Sequence, residues 1–374
     1  MTKIAILGCT GSIGRQTLDI IRSNRDKFDV VGLSCANNVD ELCALTDEFC
    51  CNSIGVYNAA KYSELKNNTK SNNVYCGDDA LTEVMADADT VVVAVTGMIG
   101  LKAVMFAIDS GKTVALANKE SLVAGGELVM SALKKSHSKL YPIDSEHSAV
   151  WQCLQGEKKF KRLILTASGG PFFFTPKNEF GSITPERAVA HPNWRMGKKI
   201  SVDCATMMNK GLEIIEARWL FDTVDIDYVI HPESVVHSMV EFYDGSIKAQ
   251  ASFPDMRLPI QYALLYPEHA VRDYKPLSMP LSLRFLMPDE DKFPAPKLAK
   301  QALKEGGTAP IVLNAANEAA VALFLNGKIA FTEITEIVEH ALERENTERV
   351  DCVDNVFKTH NRVYETIYSK HIGD

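Results

Sequence analysis

Two carboxylates stand two residues apart in the segment Asp144-Ser145-Glu146-His147, which directly follows the apolar run YPI. Carboxylate oxygens are hard ligands that suit Mg²⁺ or Mn²⁺, and a site with few protein ligands leaves coordination positions for substrate oxygens. The same residues also suit a purely structural role, with Ser145 as a helix N-cap and Glu146 in the first helical turn. The residues themselves leave both interpretations open.

A denser polar cluster follows, first as HPNWRMGKK from His191 and then as SVDCATMMNKGLE up to Glu213. Amide, hydroxyl and ammonium groups around a glycine-containing turn can bind a phosphate monoester, with Lys210 as the point charge and Glu213 available to a metal. Trp194 and Met196 can cover a ring or exclude water. Each of these residue types is more often a core or surface residue, so the functional interpretation depends on their combination.

A glycine-rich turn, Gly8-Cys-Thr-Gly11-Ser-Ile-Gly14, follows the first predicted strand and opens the first predicted helix. Backbone N–H groups at the positive end of that helix can hold a pyrophosphate, which predicts a dinucleotide site. The spacing is G-x-x-G-x-x-G and not the commoner G-x-G-x-x-G, so a turn that serves packing alone is the alternative.

Two further strand ends carry polar groups. The second predicted strand is followed by Cys35-Ala36-Asn37-Asn38, which has neither the acid that selects NAD nor the cation that favours NADP. An ordinary loop is the alternative there. Later, Asn118-Lys119-Glu120 places an amide, an ammonium and a carboxylate together after another predicted strand, where a helix cap is equally consistent with the residues.

The elements that position these groups follow from hydrophobic periodicity. Short apolar runs separated mostly by helix-length segments predict βαβ units and a parallel sheet, with ligands beyond the carboxyl ends of the strands. The runs are IAILG, VVGL, IGVY, TVVVAV, TVALA, YPID and LILTA, between residues 4 and 167.

The composition and the pattern of apolar residues change after residue 167. The segment 168–199, rich in Gly, Pro and aromatic residues, predicts a mobile loop or lid with exposed aromatics, and residues 235–253 alternate through Asp244-Gly245 as a hairpin does. Prolines between 276 and 296 indicate a linker. Beyond it, Thr332 is a candidate cap for one of several amphipathic helices, which predict a small helical bundle.

The composition excludes several classes of protein. The chain has 374 residues, 46% of them hydrophobic, and a formal net charge of −8, which favours neither nucleic acid nor an anionic membrane as the main partner. Its nine cysteines include no C-x-x-C pair, so we expect neither a zinc site nor a disulfide framework. No run approaches the ~20 apolar residues that span a bilayer, and no targeting segment is visible, so we expect a cytoplasmic protein.

The ordered motifs of the whole chain resemble those of the 1-deoxy-D-xylulose 5-phosphate reductoisomerase family. They are Gly8 to Gly14, Ala117-Asn-Lys-Glu-Ser121, Ile143-Asp-Ser-Glu-His-Ser148, Thr166-Ala-Ser-Gly-Gly-Pro171, His191-Pro-x-Trp-x-Met-Gly197, Ala205-Thr-Met-Met-Asn-Lys-Gly-Leu-Glu213, His231-Pro-Glu-Ser-Val-Val-His-Ser238, Pro254-Asp-Met-Arg257 and Leu313-Asn-Ala-Ala-Asn-Glu318.

The resemblance implies an α/β protein with an amino-terminal Rossmann-like domain (1–148), an α+β catalytic domain (149–267) with a mobile lid at about 169–199, a linker (268–296) and a carboxy-terminal helical bundle (297–374). It also implies a homodimer. The implied activity is the NADPH-dependent conversion of 1-deoxy-D-xylulose 5-phosphate to 2-C-methyl-D-erythritol 4-phosphate, in non-mevalonate isoprenoid biosynthesis.

Carried over by position, the resemblance also implies residue roles. Asp144, Glu146 and Glu213 would hold Mg²⁺, Mn²⁺ or Co²⁺, and Lys119, Ser145 and His191 would contact the sugar, with Lys119 and His191 counted among the catalytic residues. Trp194 would cover the substrate. The implied phosphate ligands are Ser168, Cys204, Asn209 and Lys210. The implied cofactor contacts are Gly8, Thr10, Gly11, Ser12, Ile13, Ala36, Asn37, Asn38, Asn118, Glu120, Met196 and Gly197.

Three positions depart from the family pattern. Cys204 replaces the usual Ser, and a thiol is a weaker donor to phosphate than a hydroxyl. Asn37 stands where many relatives carry Lys or Arg, which makes discrimination against NADH less secure. Cys9 replaces a Ser in the glycine turn, where the backbone makes the main contacts. Two alternative functions stay open. One is a metal-independent Rossmann dehydrogenase or semialdehyde reductase, and the other is a non-catalytic dinucleotide-sensing protein.

Overall fold

The computed structural model describes residues 1–190, 197–270, 274, 276–278 and 281–372. Two compact units divide the chain. The amino-terminal unit contains residues 1–121 and 129–148 together with the segment that begins at Asp255, and the second unit contains 122–128, 149–254 and the segment from Tyr274 onward.

The described elements are as follows. The strands are β1 (Thr2–Leu7), β2 (Phe28–Cys35), β3 (Ser53–Val56), β4 (Asn73–Cys76), β5 (Thr90–Val93), β6 (Thr113–Leu116), β7 (Leu140–Pro142), β8 (Arg162–Ala167), β9 (Ile226–Ile230), β10 (Val236–Glu241) and β11 (Ile247–Ala251). The α-helices are α1 (Ser12–Arg22), α2 (Val39–Phe49), α3 (Tyr62–Asn68), α4 (Asp79–Thr82), α5 (Ile99–Asp109), α6 (Glu120–Lys135), α7 (Ser145–Cys153), α8 (Pro185–Ala188), α9 (Lys198–Ala205), α10 (Met208–Phe221), α11 (Arg257–Leu265), α12 (Ala295–Glu305), α13 (Ala309–Leu325), α14 (Glu333–Arg344) and α15 (Val353–Ile372). Short 3₁₀ helices span Ala59–Lys61, Glu83–Met85 and Lys177–Ser182.

The amino-terminal unit is built on a seven-stranded sheet in the order β4-β3-β2-β1-β5-β6-β7, and every pairing in it is parallel. Its central strands are apolar along their length, as strands covered on both faces must be. The strand order reverses between β1 and β5, and the glycine turn begins at the end of β1. This is the position at which doubly wound folds bind their ligands, and the predicted α/β fold is confirmed.

Two strand predictions need correction. The strand β4 was not predicted, because Asn73-Val-Tyr-Cys76 is a short edge strand whose residues are exposed or half-buried and therefore carries a weak apolar signal. The run LILTA forms β8 but lies in the other sheet, where it pairs with β9 and β10. An apolar run predicts a buried strand without predicting the sheet that it joins.

The helix α11 belongs to the amino-terminal unit although it follows the second sheet in sequence. It packs on α1, where the Arg257 guanidinium lies 3.3 Å from Asp19. The predicted boundary at residue 267 therefore does not coincide with a break in packing, because this segment returns to the first unit after Pro254. Such a return is a tertiary contact and has no signature in local composition.

The second unit contains a four-stranded mixed sheet in the order β11-β10-β8-β9. The predicted hairpin is confirmed, since β10 and β11 pair antiparallel on either side of Asp244-Gly245. Gly245 adopts a φ of +84°, and the Asp244 carboxylate accepts hydrogen bonds from the backbone N–H and hydroxyl of Ser246. The turn residues therefore have the roles that their types suggest.

The predicted lid segment is not exposed throughout. Phe172, Phe180 and Ile183 are no more than 5% exposed and belong to the hydrophobic core of the second unit, whereas Phe174 is 70% exposed. Of the four aromatic residues in 169–190, the prediction of exposure is wrong for Phe172 and Phe180, which are buried, and right for Phe174, while Phe173 is half-buried. Glycine and proline mark irregular backbone, but irregular backbone can still be anchored by buried rings. Residues 191–196 of the predicted lid lie outside the described residues.

The helices α12 to α15 confirm the predicted carboxy-terminal helical region. The helix α13 packs against α12, α14 and α15, and most of its residues are buried because it is apolar around nearly its whole circumference. Thr332 precedes α14 as expected, but its hydroxyl makes no capping hydrogen bond, and the Glu333 carboxylate instead accepts from the backbone N–H of Ala330. Among the described helices, none combines the length and apolarity needed to cross a membrane.

Candidate active site

The glycine turn joins β1 to α1 and is packed too closely for side chains at two of its positions. Gly8 has a φ of +85°, and a Cβ there would lie 2.6 Å from the carbonyl oxygen of Ala94. A Cβ on Gly14 would lie 2.3 Å from the carbonyl oxygen of Gly8. The helix begins at Ser12 without a side-chain cap or an acid in its first turn, so its positive end can accept an anion. Thr10, Gly11 and Ile13 lie in the same turn.

The loop after β2 is held by amide side chains. The Asn38 carboxamide oxygen accepts from the backbone N–H of Glu41 and so caps α2, while the side-chain Oδ1 of Asn37 accepts from the side-chain amide of Asn58 at 2.8 Å. Ala36 is exposed beside them. Arg15 reaches this loop from α1 and forms two hydrogen bonds of 2.6 Å to the Glu41 carboxylate, which lowers the pKa of Glu41.

Asn118 precedes the N-cap residue Lys119 of the helix α6, and its side chain binds the first turn of that helix, which supports the structural alternative for this residue. Its carboxamide oxygen accepts from the backbone N–H of Ser121, and its amide nitrogen lies within 3.0 Å of the carbonyl oxygens of Val95 and Gly97. The Glu120 carboxylate lies 2.9 Å from the same amide nitrogen. Asn118 therefore joins the ends of β5 and β6, whatever further contact it makes with a cofactor.

The buried ammonium of Lys119 faces the predicted metal ligands. Its Nζ lies 2.9 Å from Asp144 Oδ2, and His147 Nδ1 lies 3.7 Å from the same oxygen. Burial opposes ionisation of Asp144, but the charges of Lys119 and His147 outweigh it and hold the pKa of Asp144 well below its usual range. Asp144 is therefore a carboxylate in this unit.

The helix α7 starts at Ser145, which makes Asp144 and not Ser145 the residue before the helix. Asp144 Oδ1 accepts from the Ser145 backbone N–H at 3.0 Å, and the Ser145 hydroxyl donates to Glu146 Oε2 at 2.5 Å. The interpretation of Ser145 as the N-cap is therefore wrong. Asp144 Oδ2 is buried and ionised, and it faces only the Lys119 ammonium at 2.9 Å and His147 Nδ1 at 3.7 Å among the ion pairs of the described residues. An oxygen in this state is suited to a hard divalent cation.

In the second unit, the end of β8 and the end of α9 lie against each other. Gly169 and Gly170 have φ values of +86° and +68°, and a Cβ on Gly170 would lie 2.4 Å from the carbonyl oxygen of Cys204. The Ser168 hydroxyl accepts from the backbone N–H of Gly170 at 3.3 Å. Gly170, two residues after Ser168, therefore packs closely against Cys204, and the binding of one phosphate by Ser168 and Cys204 stays a prediction.

The first turn of α10 carries the second charged pair. The Lys210 ammonium and the Asn209 amide both donate to the Glu213 carboxylate, and the side chains of Lys210 and Glu213 are 3% and 1% exposed. The spacings i,i+3 and i,i+4 place all three on one face of the helix. The residue before the helix, Met207, has a φ of +63°, which turns the chain sharply from α9 into α10.

Three predicted site residues, His191, Trp194 and Met196, lie outside the described residues. Gly197 is described and directly precedes α9, where its carbonyl oxygen accepts from the backbone N–H and hydroxyl of Ser201. Ser12 lies exposed at the start of α1.

One buried network beside the candidate site was not predicted. Asp203 is 1% exposed, accepts from the Asn317 amide at 2.8 Å and lies 2.8 Å from the Lys199 ammonium. It connects α9 to α13. The i,i+4 spacing of Lys199 and Asp203 was a usable signal for the ion pair, but the contact with Asn317 spans more than a hundred positions and cannot be seen in the sequence.

Comparison with known proteins identifies the family. Models of 1-deoxy-D-xylulose 5-phosphate reductoisomerase domains match residues 4–126, 140–221 and 251–366. The 1-deoxy-D-xylulose 5-phosphate reductoisomerase of Thermoanaerobacter pseudethanolicus is 47% identical over 381 residues, which cover 100% of both chains. The chain belongs to the 1-deoxy-D-xylulose 5-phosphate reductoisomerase family. The family member from a Geobacillus species is 49% identical over 354 residues, 92% of this chain and 93% of its own.

Solved structures of reductoisomerases have the same fold. One from Zymomonas mobilis, in complex with NADPH, is 40% identical with a TM-score of 0.92 and 99% coverage of both chains. Another, in complex with NADPH, fosmidomycin and magnesium, is 41% identical with a TM-score of 0.94, covering 99% of this chain and 98% of its own. The resemblance inferred from the motifs is confirmed.

Proposed function

We propose that this protein is an NADP-dependent oxidoreductase that rearranges and reduces 1-deoxy-D-xylulose 5-phosphate to 2-C-methyl-D-erythritol 4-phosphate with a divalent cation. The observation that carries the proposal is the full-length identity with reductoisomerases. The related structures in complex with NADPH and magnesium support the two cofactors. The two lysine–carboxylate pairs described above support the chemistry.

We assign the cation to Asp144, Glu146 and Glu213. The buried, ionised Asp144 carboxylate is a hard oxygen ligand and fits a cation such as Mg²⁺. The Glu213 carboxylate already accepts hydrogen bonds from the Lys210 ammonium and the Asn209 amide. When a substrate phosphate takes the donors of Lys210 and Asn209, the Glu213 carboxylate loses those partners and becomes available to the cation. Binding of phosphate and binding of metal are therefore coupled through one buried pair.

The phosphate is assigned to Ser168, Cys204, Asn209 and Lys210. A buried ammonium and an amide in the first turn of α10 provide a charge and donors for an anion, and the positive helix end adds to the attraction. Binding energy from this remote group orients the reacting carbons. Lys119, Ser145 and His191 are assigned to the sugar and Trp194 to its cover, on the family resemblance.

The glycine turn, the β2–α2 loop and residues 118 and 120 are assigned to NADPH, with Met196 and Gly197. When bound, the cation supplies Lewis-acid polarisation of substrate oxygens and NADPH supplies the hydride. Lys119 holds the Asp144 carboxylate ionised and oriented, and we assign to its ammonium the further role of donating a hydrogen bond to a substrate oxygen. Closure of residues around Trp194 would exclude water.

We also propose that the protein is a homodimer. The strand β11 is the edge of the second sheet, and most of its residues are exposed, including Ile247 at 52%. Tyr243 in the preceding turn is 74% exposed. An exposed edge strand with apolar residues is a template for a second copy. Light scattering should show a dimer for the wild-type protein and a monomer for Ile247→Lys; a monomeric wild type would contradict the proposal.

We place this activity in the cytoplasm, since none of the nine cysteines, all within the described residues, forms a disulfide.

The decisive assay mixes the protein with NADPH, 1-deoxy-D-xylulose 5-phosphate and Mg²⁺, and follows NADPH oxidation with and without EDTA. We expect oxidation with Mg²⁺, loss of oxidation with EDTA, and recovery when Mg²⁺ is returned in excess.

Two other outcomes would identify the rival functions. Full activity in EDTA would indicate a metal-independent dehydrogenase. NADPH binding without turnover of the substrate would indicate a dinucleotide-sensing protein. Glu213→Gln and Glu241→Gln make a matched pair for the assay, because Glu241 is another nearly buried carboxylate in the second unit, paired with Lys161 and Arg162. Only Glu213→Gln should abolish oxidation.

A further inference from the structure

Two arginine–glutamate pairs connect α1 to α2 with the same geometry. Arg15 donates to Glu41 through Nε and Nη2 at 2.6 Å, and Arg22 donates to Glu48 through the same two atoms at 2.7 Å. The partners are 26 positions apart in both pairs. As clamps between the two helices they are equivalent, so a difference between them must come from their surroundings.

Their positions along α1 differ. Arg15 directly follows the glycine turn, and its backbone N–H donates to the carbonyl oxygen of Gly11. Arg22 is the last residue of α1, which places it roughly 10 Å farther along the helix axis. Only Arg15 is therefore near the end of the sheet at which a dinucleotide binds.

The Arg15 guanidinium is held beside the β2–α2 loop. Its partner Glu41 also accepts from the Asn38 amide at 2.7 Å and donates its backbone N–H to the Asn38 carboxamide oxygen. In dinucleotide-binding folds, the loop after the second strand is where the 2′-oxygen of the adenosine ribose is recognised, and an arginine nearby accommodates a 2′-phosphate. Asn37, in this loop, carries no charge.

Arg15 retains donors for a ligand. Its Nε and Nη2 are occupied by Glu41, whereas Nη1 donates no hydrogen bond to any residue that the structure describes, and the side chain is 58% exposed. A guanidinium fixed by a carboxylate on one edge presents its remaining N–H groups in a defined direction, which lowers the entropic cost of binding an anion.

We propose that Arg15 binds the 2′-phosphate of NADPH and supplies the positive charge that Asn37 lacks, with Glu41 as the residue that positions it. This assignment rests on the proposed function, since it concerns the same cofactor site. It makes the Arg15–Glu41 pair a determinant of NADPH selectivity and leaves the Arg22–Glu48 pair as a structural clamp.

The test compares Arg15→Gln with Arg22→Gln. Dissociation constants are measured for NADPH and NADH, and for the probes adenosine 2′,5′-bisphosphate and AMP, without substrate or metal. We expect Arg15→Gln to weaken NADPH and the bisphosphate by about tenfold while NADH and AMP change by less than about twofold. Arg22→Gln should leave both ratios unchanged. Arg15→Lys should retain part of the preference because it keeps the charge.

Equal weakening of both dinucleotides by Arg15→Gln would overturn the assignment, as would identical effects of Arg15→Gln and Arg22→Gln, because either result is what loss of a clamp produces. Thermal unfolding of the two variants establishes whether they are equally folded. If the wild-type protein binds neither dinucleotide, the proposed function itself fails. If the wild-type protein prefers NADPH and Arg15→Gln keeps that preference, only the present inference fails.

Discussion

The two units offer different parts of the chain to the ligands that we propose for them. In the amino-terminal unit, the glycine turn offers backbone N–H groups at a helix end. At Gly8 and Gly14 the surrounding backbone leaves no room for a side chain. In the second unit, the phosphate is expected to meet side chains, with Lys210 and Glu213 buried against each other. Backbone recognition tolerates a changed side chain such as Cys9, whereas a buried charged pair does not tolerate loss of either partner.

Each unit nevertheless has a lysine–carboxylate pair among its proposed site residues. The Lys119 and Asp144 side chains are 10% and 17% exposed, and those of Lys210 and Glu213 are 3% and 1% exposed. The difference in burial predicts that the second pair matters more for stability, because an unpaired charge left by substitution costs more when water cannot reach it.

The largest expected effect is that of Lys210→Met. Without the Lys210 ammonium, binding of the substrate phosphate in the transition state should weaken by about 2 kcal/mol or more, which corresponds to a roughly 30-fold or larger loss of kcat/KM. The affinity for NADPH should not change. The matched control is Lys112→Met in the other unit, since Lys112 is also a buried lysine and donates to the carbonyl oxygens of Ala86 and Ala88. That variant should lose stability and keep catalytic activity once folded; similar losses of kcat/KM in both would erase the difference between the units.

The next effect is that of Gly14→Ala in the cofactor turn. The added Cβ would contact the carbonyl oxygen of Gly8, and relief of that overlap should cost about 1–3 kcal/mol and distort the turn. NADPH affinity should fall by about tenfold or more, as measured by fluorescence titration. Cys9→Ser in the same turn should change the affinity by less than about threefold because the backbone makes the contacts. A larger effect of Cys9→Ser would mean that side chains do participate.

A smaller gain is expected from Cys204→Ser. A hydroxyl is a stronger donor to phosphate than a thiol, so the KM for the phosphorylated substrate should fall by roughly two- to tenfold. This fall corresponds to a gain in binding free energy of about 0.5–1.5 kcal/mol. The control is Cys153→Ser at a buried cysteine of the same unit, whose thiol pKa is raised by burial to about 11. An unchanged or higher KM for Cys204→Ser would contradict the phosphate contact.

The smallest effect is expected from Asn37→Lys, in the exposed loop of the amino-terminal unit. A new, solvated cation beside the 2′-phosphate should raise the preference for NADPH over NADH by roughly two- to fivefold. This change corresponds to about 0.5–1 kcal/mol of additional binding free energy for NADPH. Asn58→Ala removes the same hydrogen bond to Asn37 without adding a charge and should leave the preference unchanged. Equal effects in the two variants would attribute the change to the loop and not to charge.

Much of this molecule is determined locally by its sequence. Apolar runs of strand length, the glycine turn after β1 and the Asp244-Gly245 hairpin were predicted because each depends on neighbouring residues. The spacing of Asn209, Lys210 and Glu213 places them on one helical face for the same reason. The ordered motifs were sufficient to indicate the family, since no local structure had to be known to read them.

Only the tertiary structure decided how these pieces associate. It placed β8 in the second sheet, returned α11 to the first unit, buried Phe172 and Phe180 beneath an irregular segment, and joined Asp203 to Asn317. It also showed that Arg15 and not a residue of the β2–α2 loop brings a guanidinium to that loop. These contacts join residues far apart in the chain, and their free energy depends on packing and desolvation that no short window of sequence contains.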